Sequence, residues 1–253
     1  ARVVGAYRMS LSYDGSLLAE PGILSSAGVF AIGFGDIAQL EYRHTSAISI
    51  EGSSAPLPSA GVQFKAPWTS HGWPELALAF RIGVPRDQTI ETATISETAS
   101  DGYLLALYDI PGLDILTIHA GLRVTQARVE IAGPAEHDEK ELLFLPAAGL
   151  ELQMNQQTRL VAEWSLTPQF DFDVSTPEVA PTIDYANQGR VGVRWAVIDS
   201  LTLDASLGYR FLGVETADER GLFRWDIRLG GEIHIPWDAI ACKSLAILCG
   251  RQQ

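Results

Sequence analysis

The sequence predicts an all-β chain: a transmembrane antiparallel up-and-down β-barrel of about twelve strands, followed by a short C-terminal helix. Three observations predict it. Apolar residues fall at every second position almost end to end, which is the strand period. The opposite faces carry charges in mid-strand, where a dry core would not accept them. The connections alternate between short and long, as in barrels with turns on one rim and loops on the other.

The elements follow in order. In "RVVGAYRMSLSY", Val3, Tyr7, Met9, Leu11 and Tyr13 oppose Arg2, Arg8, Ser10 and Ser12. "GVFAIGF" follows, then Gly35-Asp36, then Ala38, Leu40 and Tyr42 against Gln39, Glu41 and Arg43. Next, Val62, Phe64, Ala66 and Trp68 oppose Gln63 and Lys65. In "LALAFRIGV", Leu76, Leu78, Phe80, Ile82 and Val84 oppose Arg81. "YLLALYDI" leads into the turn Pro111-Gly112-Leu113-Asp114. Beyond it Leu116, Ile118, Ala120, Leu122 and Val124 oppose Thr117, His119, Arg123 and Thr125. "LLFLPAAGLELQM", "NQQT" and "RLVAEWSL" read as a hairpin, as do the two halves of "RVGVRWAVIDSLTLDASLGYRF" around Ile198-Asp199-Ser200. "LFRWDIRLGGEIHIPW" closes the series, and a barrel spans 1–237. The long connections read as 14–27, 45–58, 85–101, 132–141, 167–184 and 213–221.

Bulk composition agrees. The 253 residues are 47% hydrophobic with a mean hydropathy of +0.10, enough apolar surface for a large core or a lipid belt. Charged residues are 19%, below the ~25% of soluble domains. A net charge of −13 argues against a nucleic-acid partner, which needs a basic face. No apolar run reaches the ~18 residues of a transmembrane helix. Ala1, directly before a strand pattern, reads as a processed start. Trp68, Trp73, Trp195 and Trp237, four of the six tryptophans, fall on the short-turn rim and suit a membrane-interface girdle.

On these residues the chain resembles small porin-like outer-membrane β-barrels of Gram-negative bacteria. "AAGLELQMNQQTRLVAEWSL" and "RVGVRWAVIDSLTLDASLGYRF" look like their repeated hairpin, and "RLGGEIHIPW" resembles their C-terminal assembly signal. Sixteen residues follow Trp237, whereas that signal usually ends the chain. The resemblance implies a bacterial outer-membrane location, lipid as surroundings and the barrel-assembly machinery as a partner in biogenesis. Both termini are then expected in the periplasm and the long loops outside the cell.

The polar faces supply the lumen and pore candidates: Arg81, Arg123, Glu151, Glu163, Arg190, Arg194, Asp204, Arg210, Arg224, Asp226, Arg228, Glu232 and His234. Two readings follow. Arginines and carboxylates pair across the lumen and plug it, or Arg190, Arg194, Arg210, Arg224 and Arg228 line a narrow pore for anions. The near balance of charge favours the plug, and with it a non-enzymatic anchor or scaffold subunit of an envelope or surface assembly. The narrow channel is the alternative and an outer-membrane lipase or protease the third reading. His44, Thr45 and Ser46 near the outer rim carry that third reading, without a nucleophile motif to frame them.

Other features carry less. The acidic long loops show no regular ligand spacing, so no metal is expected; no cofactor is expected either. Those loops and the tail are the surfaces through which a scaffold would meet a surface or periplasmic protein. "GFGDIA" at 33–38 matches a dinucleotide fingerprint but is followed by a strand pattern rather than the required helix. The tail 238–253 reads as a helix with an apolar stripe including Ile240, Leu245 and Leu248, suited to docking on its own barrel or a periplasmic partner. Cys242 and Cys249 lie ~10 Å apart if that helix is continuous, so a disulfide requires the tail to bend.

Overall fold

The computed structural model describes residues 8–18, 24–34, 37–48, 57–66, 73–90, 93–113, 115–133, 136–171, 179–211 and 225–236. Thirteen strands form one antiparallel sheet: β1 (Arg8–Leu18), β2 (Leu24–Phe34), β3 (Ala38–Ile48), β4 (Ser59–Lys65), β5 (Glu75–Gly83), β6 (Arg86–Ile90), β7 (Ala93–Asp109), β8 (Leu116–Ala132), β9 (His137–Gln153), β10 (Thr158–Asp171), β11 (Thr182–Ile198), β12 (Leu201–Phe211) and β13 (Trp225–Pro236). Consecutive strands pair, except β5 with β6, and β1 pairs with β13. β7 pairs with β6 through its first residues and with β5 through Asp101–Leu107. β5 and β6 are therefore two pieces of one wall position, and the sheet is a closed twelve-stranded barrel. Pro85 lies at the break, where a missing N–H donor cannot continue the ladder.

The turns are local chemistry. Ile110–Leu113 is a β-turn in which the Leu113 N–H donates to the Ile110 carbonyl at 3.0 Å. Pro111 pre-sets the first corner, and Gly112, at φ 81°, takes the left-handed second corner of a type II turn. In the β9–β10 turn the Asn155 carboxamide oxygen accepts from the Gln157 and Thr158 N–H groups, both at 2.8 Å.

Several segments expected to be long loops are partly strand. β1 runs to Leu18 and β2 begins at Leu24; β3 runs to Ile48; β8 and β9 reach Ala132 and His137; β10 runs to Asp171. The largest correction is 85–101, which holds β6 and the first half of β7. Segment 213–221 lies outside the described residues, as do Trp68, Arg224, Trp237 and the whole tail with Ile240, Cys242, Leu245, Leu248 and Cys249.

The reason is a change of phase. In the lower half of β7, near the β7–β8 turn, Leu104, Ala106 and Tyr108 face out and Asp101 and Tyr103 face in. In its upper half Thr94, Ser96, Thr98 and Ser100 take the outer face, while Ala93, Ile95 and Ala99 are buried inside. β8 changes in the same way. Ile118, Leu122 and Val124 face out in its lower half; above them Gln126, Arg128 and Glu130 face out, and Ala127 and Val129 are buried inside. Seventeen residues at ~3.3 Å and ~40° tilt rise roughly 43 Å, well beyond an apolar band of ~25 Å. β7, β8 and β9 are each seventeen residues long, so their upper ends stand above the hydrocarbon.

There the chain builds an ordinary protein core. Ile95, Ala99, Ala127, Val129, Leu143 and Leu145 pack with Leu57 and Phe170, and Ile95, Leu145 and Phe170 are 1%, 1% and 2% exposed. One ion pair lies at its edge. Arg86 of β6 pairs with Glu97 of β7, which is also buried. Burial pushes the Glu97 carboxyl above the usual carboxylate range, against the opposing pull of Arg86. On the outer face Asp138 accepts from Arg128 Nε at 2.8 Å and Lys140 Nζ at 3.0 Å, and these bonds hold it well below that range.

Ile95→Ala is expected to destabilise the barrel by about 2–5 kcal/mol in urea unfolding from lipid vesicles. A loss below about 1 kcal/mol would mean that this cluster does not act as a core. For Glu97 the folded pKa is raised, so its contribution is full below the unfolded value near 4.5 and lost as pH rises through the folded value. Glu97→Gln is expected to abolish that weakly acidic gain in unfolding midpoint, and an unchanged pH profile contradicts the assignment.

Candidate functional site: the charged lumen wall

The lower barrel is apolar outside and polar inside. Leu78, Phe80 and Ile82 of β5, Leu203 and Leu207 of β12 and Ile227, Leu229 and Ile233 of β13 are all exposed on the outer face. On the inner face, by the same alternation, lie Arg81, Arg123, Glu151, Glu163, Arg190, Arg194, Asp204, Arg210, Asp226, Arg228, Glu232 and His234.

Two clusters gather five of these twelve residues, joined by Glu41 and Asp101. In the first, Arg81 pairs with Glu41 and donates from Nη1 to the Tyr103 hydroxyl at 2.7 Å. Arg123 Nε donates to Asp101 at 2.7 Å, and the same carboxylate oxygen accepts from the Thr125 hydroxyl at 2.7 Å. The Arg81 and Arg123 guanidinium carbons stand 4.6 and 5.3 Å from the Tyr103 ring centre, so the ring serves both cations. In the second cluster Arg190 pairs with Asp226 and donates to the Ser206 hydroxyl at 3.0 Å. Gln188 Nε2 and Arg228 Nε reach the same Asp226 oxygen, each at 3.3 Å. Ring order sets β3 and β11 five positions apart among twelve, so the clusters stand on opposed walls.

Both long-range pairs use one device. Glu41 on β3, Gly61 on β4 and Arg81 on β5 share one register row. So do Arg190 on β11, Gly208 on β12 and Asp226 on β13. The glycine leaves the middle strand bare, and the arginine lies across it to an acid two strands away. A Cβ on Gly61 would stand 2.6 Å from the Phe80 carbonyl oxygen and 2.7 Å from Arg81 Cγ. On Gly208 it would stand 2.9 Å from Arg190 Nη2.

Among the described residues these pairs run otherwise than the expected plug. Glu41–Arg81 and Arg190–Asp226 join next-but-one strands, while Arg123–Asp101 and Arg159–Glu151 join adjacent ones. They run along the wall and not across the axis. Twelve strands spaced ~4.8 Å and tilted ~40° enclose a ring roughly 24 Å across, too wide for one such pair to bridge. Between the second cluster and β1 a polar cavity of about 280 Å³ is lined by Ser12, Glu163, Arg194, Asp204, Arg228 and Glu232.

The two inward histidines each stand beside a glutamate. His119 Nε2 lies 3.7 Å from Glu151, and His234 Nε2 lies 3.7 Å from Glu232. His44 and Thr45 are consecutive on β3, so one faces out and the other in; they do not form a base–nucleophile pair. Trp73 and Trp195 are exposed towards the short-turn rim. A second aromatic group was not anticipated. Trp164, Tyr209, Phe211 and Trp225 surround an outer-face groove of about 520 Å³, and Trp164 Nε1 donates to Asn187 at 2.8 Å. Asp101 and Tyr103 were also missed as lumen residues, while Glu41 and Arg43 were placed on the polar face but not among the pore candidates. Alternation run backwards from Leu104 finds both missed residues.

Solved structures share this architecture. The NanC porin superposes with a TM-score of 0.59 at 10% identity, over 88% of this chain and 98% of that one. An outer membrane channel from Pseudomonas putida F1 gives 0.56 at 10% identity, over 93% and 97%. The chain has the fold of an outer-membrane porin. The KdgM porin gives 0.54 at 10% identity, over 88% and 98%. No protein-family model and no curated protein sequence matches the chain.

The two glycine rows make separable predictions. Gly61→Ala must move strand backbone and is expected to cost about 1–3 kcal/mol in unfolding from vesicles. Gly208→Ala meets only the ends of flexible side chains and is expected to cost less than about 1 kcal/mol while displacing Arg190 from Asp226. Equal losses in the two variants would refute the distinction.

Proposed function

We propose that the chain is a narrow outer-membrane channel for small, anionic solutes. The observation that carries this reading is the direction of the lumen ion pairs, which bind charge to the wall and leave the axis unbridged among the described residues. Arginines stand on two opposed walls, where a low-dielectric surround strengthens their field on a passing anion. The porin and channel neighbours support the same reading. In this arrangement the short-turn rim and both termini face the periplasm, and the tall β7–β9 wall faces the cell exterior. Arg190, Arg194 and Arg228 line the polar cavity and act on the solute, and Asp226 engages both Arg190 and Arg228.

One observation favours an anchoring role beside conduction. β7–β9 rise beyond the apolar belt and present a packed wall to the exterior, on which a surface partner could dock. Such a role adds to the channel and does not replace it.

Purified barrel in planar bilayers is expected to give stepwise currents with anions preferred over cations. Arg194→Ala with Arg228→Ala is expected to lower that preference several-fold with little change in unfolding midpoint. Silent bilayers, or a selectivity indifferent to both substitutions, would return the anchor reading to first place.

A further inference from the structure

Among the described residues the first lumen cluster is one negative charge short. Arg43, Arg81 and Arg123 lie within Coulombic reach of one another, with Glu41 and Tyr103 beside them. The carboxylates of this group are Glu41 and Asp101, and both are engaged: Glu41 by Arg81 and Asp101 by Arg123. Arg43 is the third guanidinium. Its Nε is buried and makes no hydrogen bond. Two residues further on the same inner face of β3, the Thr45 hydroxyl is buried and makes none either. Thr45 is 6% exposed.

A guanidinium with a buried, unbonded N–H, set beside two like charges, is costly to hold in a protein interior. Removing the charge or adding a counter-charge relieves it. The local chemistry favours addition. A guanidinium N–H and a hydroxyl on one strand face, with Cα atoms ~7 Å apart, offer two donors that an oxyanion accepts with two oxygens. We propose that Arg43 and Thr45 form an internal site for one small monovalent oxyanion, a carboxylate or phosphate group, which completes the charge balance of the cluster. The site needs water access to the lumen from either rim and does not need conduction. It therefore stands apart from the channel reading, and a silent bilayer leaves it intact.

The experiment uses the full chain folded in a zwitterionic detergent. Sodium formate replaces sodium chloride stepwise at constant ionic strength, and the thermal unfolding midpoint is followed. In the wild type the midpoint is expected to rise and saturate. Thr45→Val keeps the side-chain shape and is expected to raise the half-saturating formate concentration about tenfold. Arg43→Met is expected to lose the shift altogether, and in formate-free buffer to unfold no lower than the wild type, because an uncompensated charge has gone. Sodium phosphate in place of formate tests the second oxyanion, with the same variants. A wild-type midpoint indifferent to both oxyanions overturns the site. So does a formate shift that survives in Arg43→Met, or an Arg43→Met protein less stable than wild type in both buffers.

Discussion

The structure depends on one constraint: inside hydrocarbon, every backbone N–H and C=O needs a partner within the protein. A sheet satisfies this only by closing on itself. Each wall position here pairs on both sides, and β1 meets β13 to complete the ring. The break at Pro85 shows how the demand is met. β5 leaves the ladder opposite Asp101, and β6 resumes it opposite Glu97. Between them the Gly83 N–H donates to the Ser100 hydroxyl at 3.1 Å. The Val84 N–H donates to the Pro58 carbonyl at 2.9 Å, so groups freed at the break find partners within the protein.

Closure also dictates how charge is housed. Outward positions belong to lipid, so the charged side chains of the lower barrel must point into a shared interior. Long arginines there need somewhere to lie. Gly61 and Gly208 provide it, each as a bare middle strand between a cation and an acid. The result is a wall whose charges are largely tied down pairwise, with Arg194 and Arg43 outside those pairs among the described residues. Tyr103 adds an aromatic ring that both Arg81 and Arg123 face. Structural and functional charges thus share one surface, and their roles follow from which acids lie within two strands.

Much of this was legible in the sequence because the pleat imposes a period of two on any half-buried strand. The barrel, its strand number and the Pro111-Gly112 and Asn155 turns follow from that period and from turn chemistry. Loop lengths were not legible in the same way. The alternation of β7 and β8 keeps its period but exchanges polarity near Asp101 and Thr125, so a search for continuous apolar-out strands stops there and assigns the rest to loop. Pair partners were less legible still. Glu41 and Arg81 are forty residues apart, and only the register of three strands brings them to one row. Composition alone suggested charges facing each other across a lumen; register shows them lying side by side.

The exchange of polarity in β7–β9 makes the barrel directional. Below the exchange the greasy face looks out to lipid; above it the greasy face looks in to Leu57 and Phe170. The upper part belongs outside the hydrocarbon, since Arg128, Glu130 and Asp138 would otherwise sit in it. There Ile95, Leu145 and Phe170 close a core under a charged outer face. Any shift of the barrel along the membrane normal would carry those charges into hydrocarbon, so the exchange of polarity fixes the depth at which it sits.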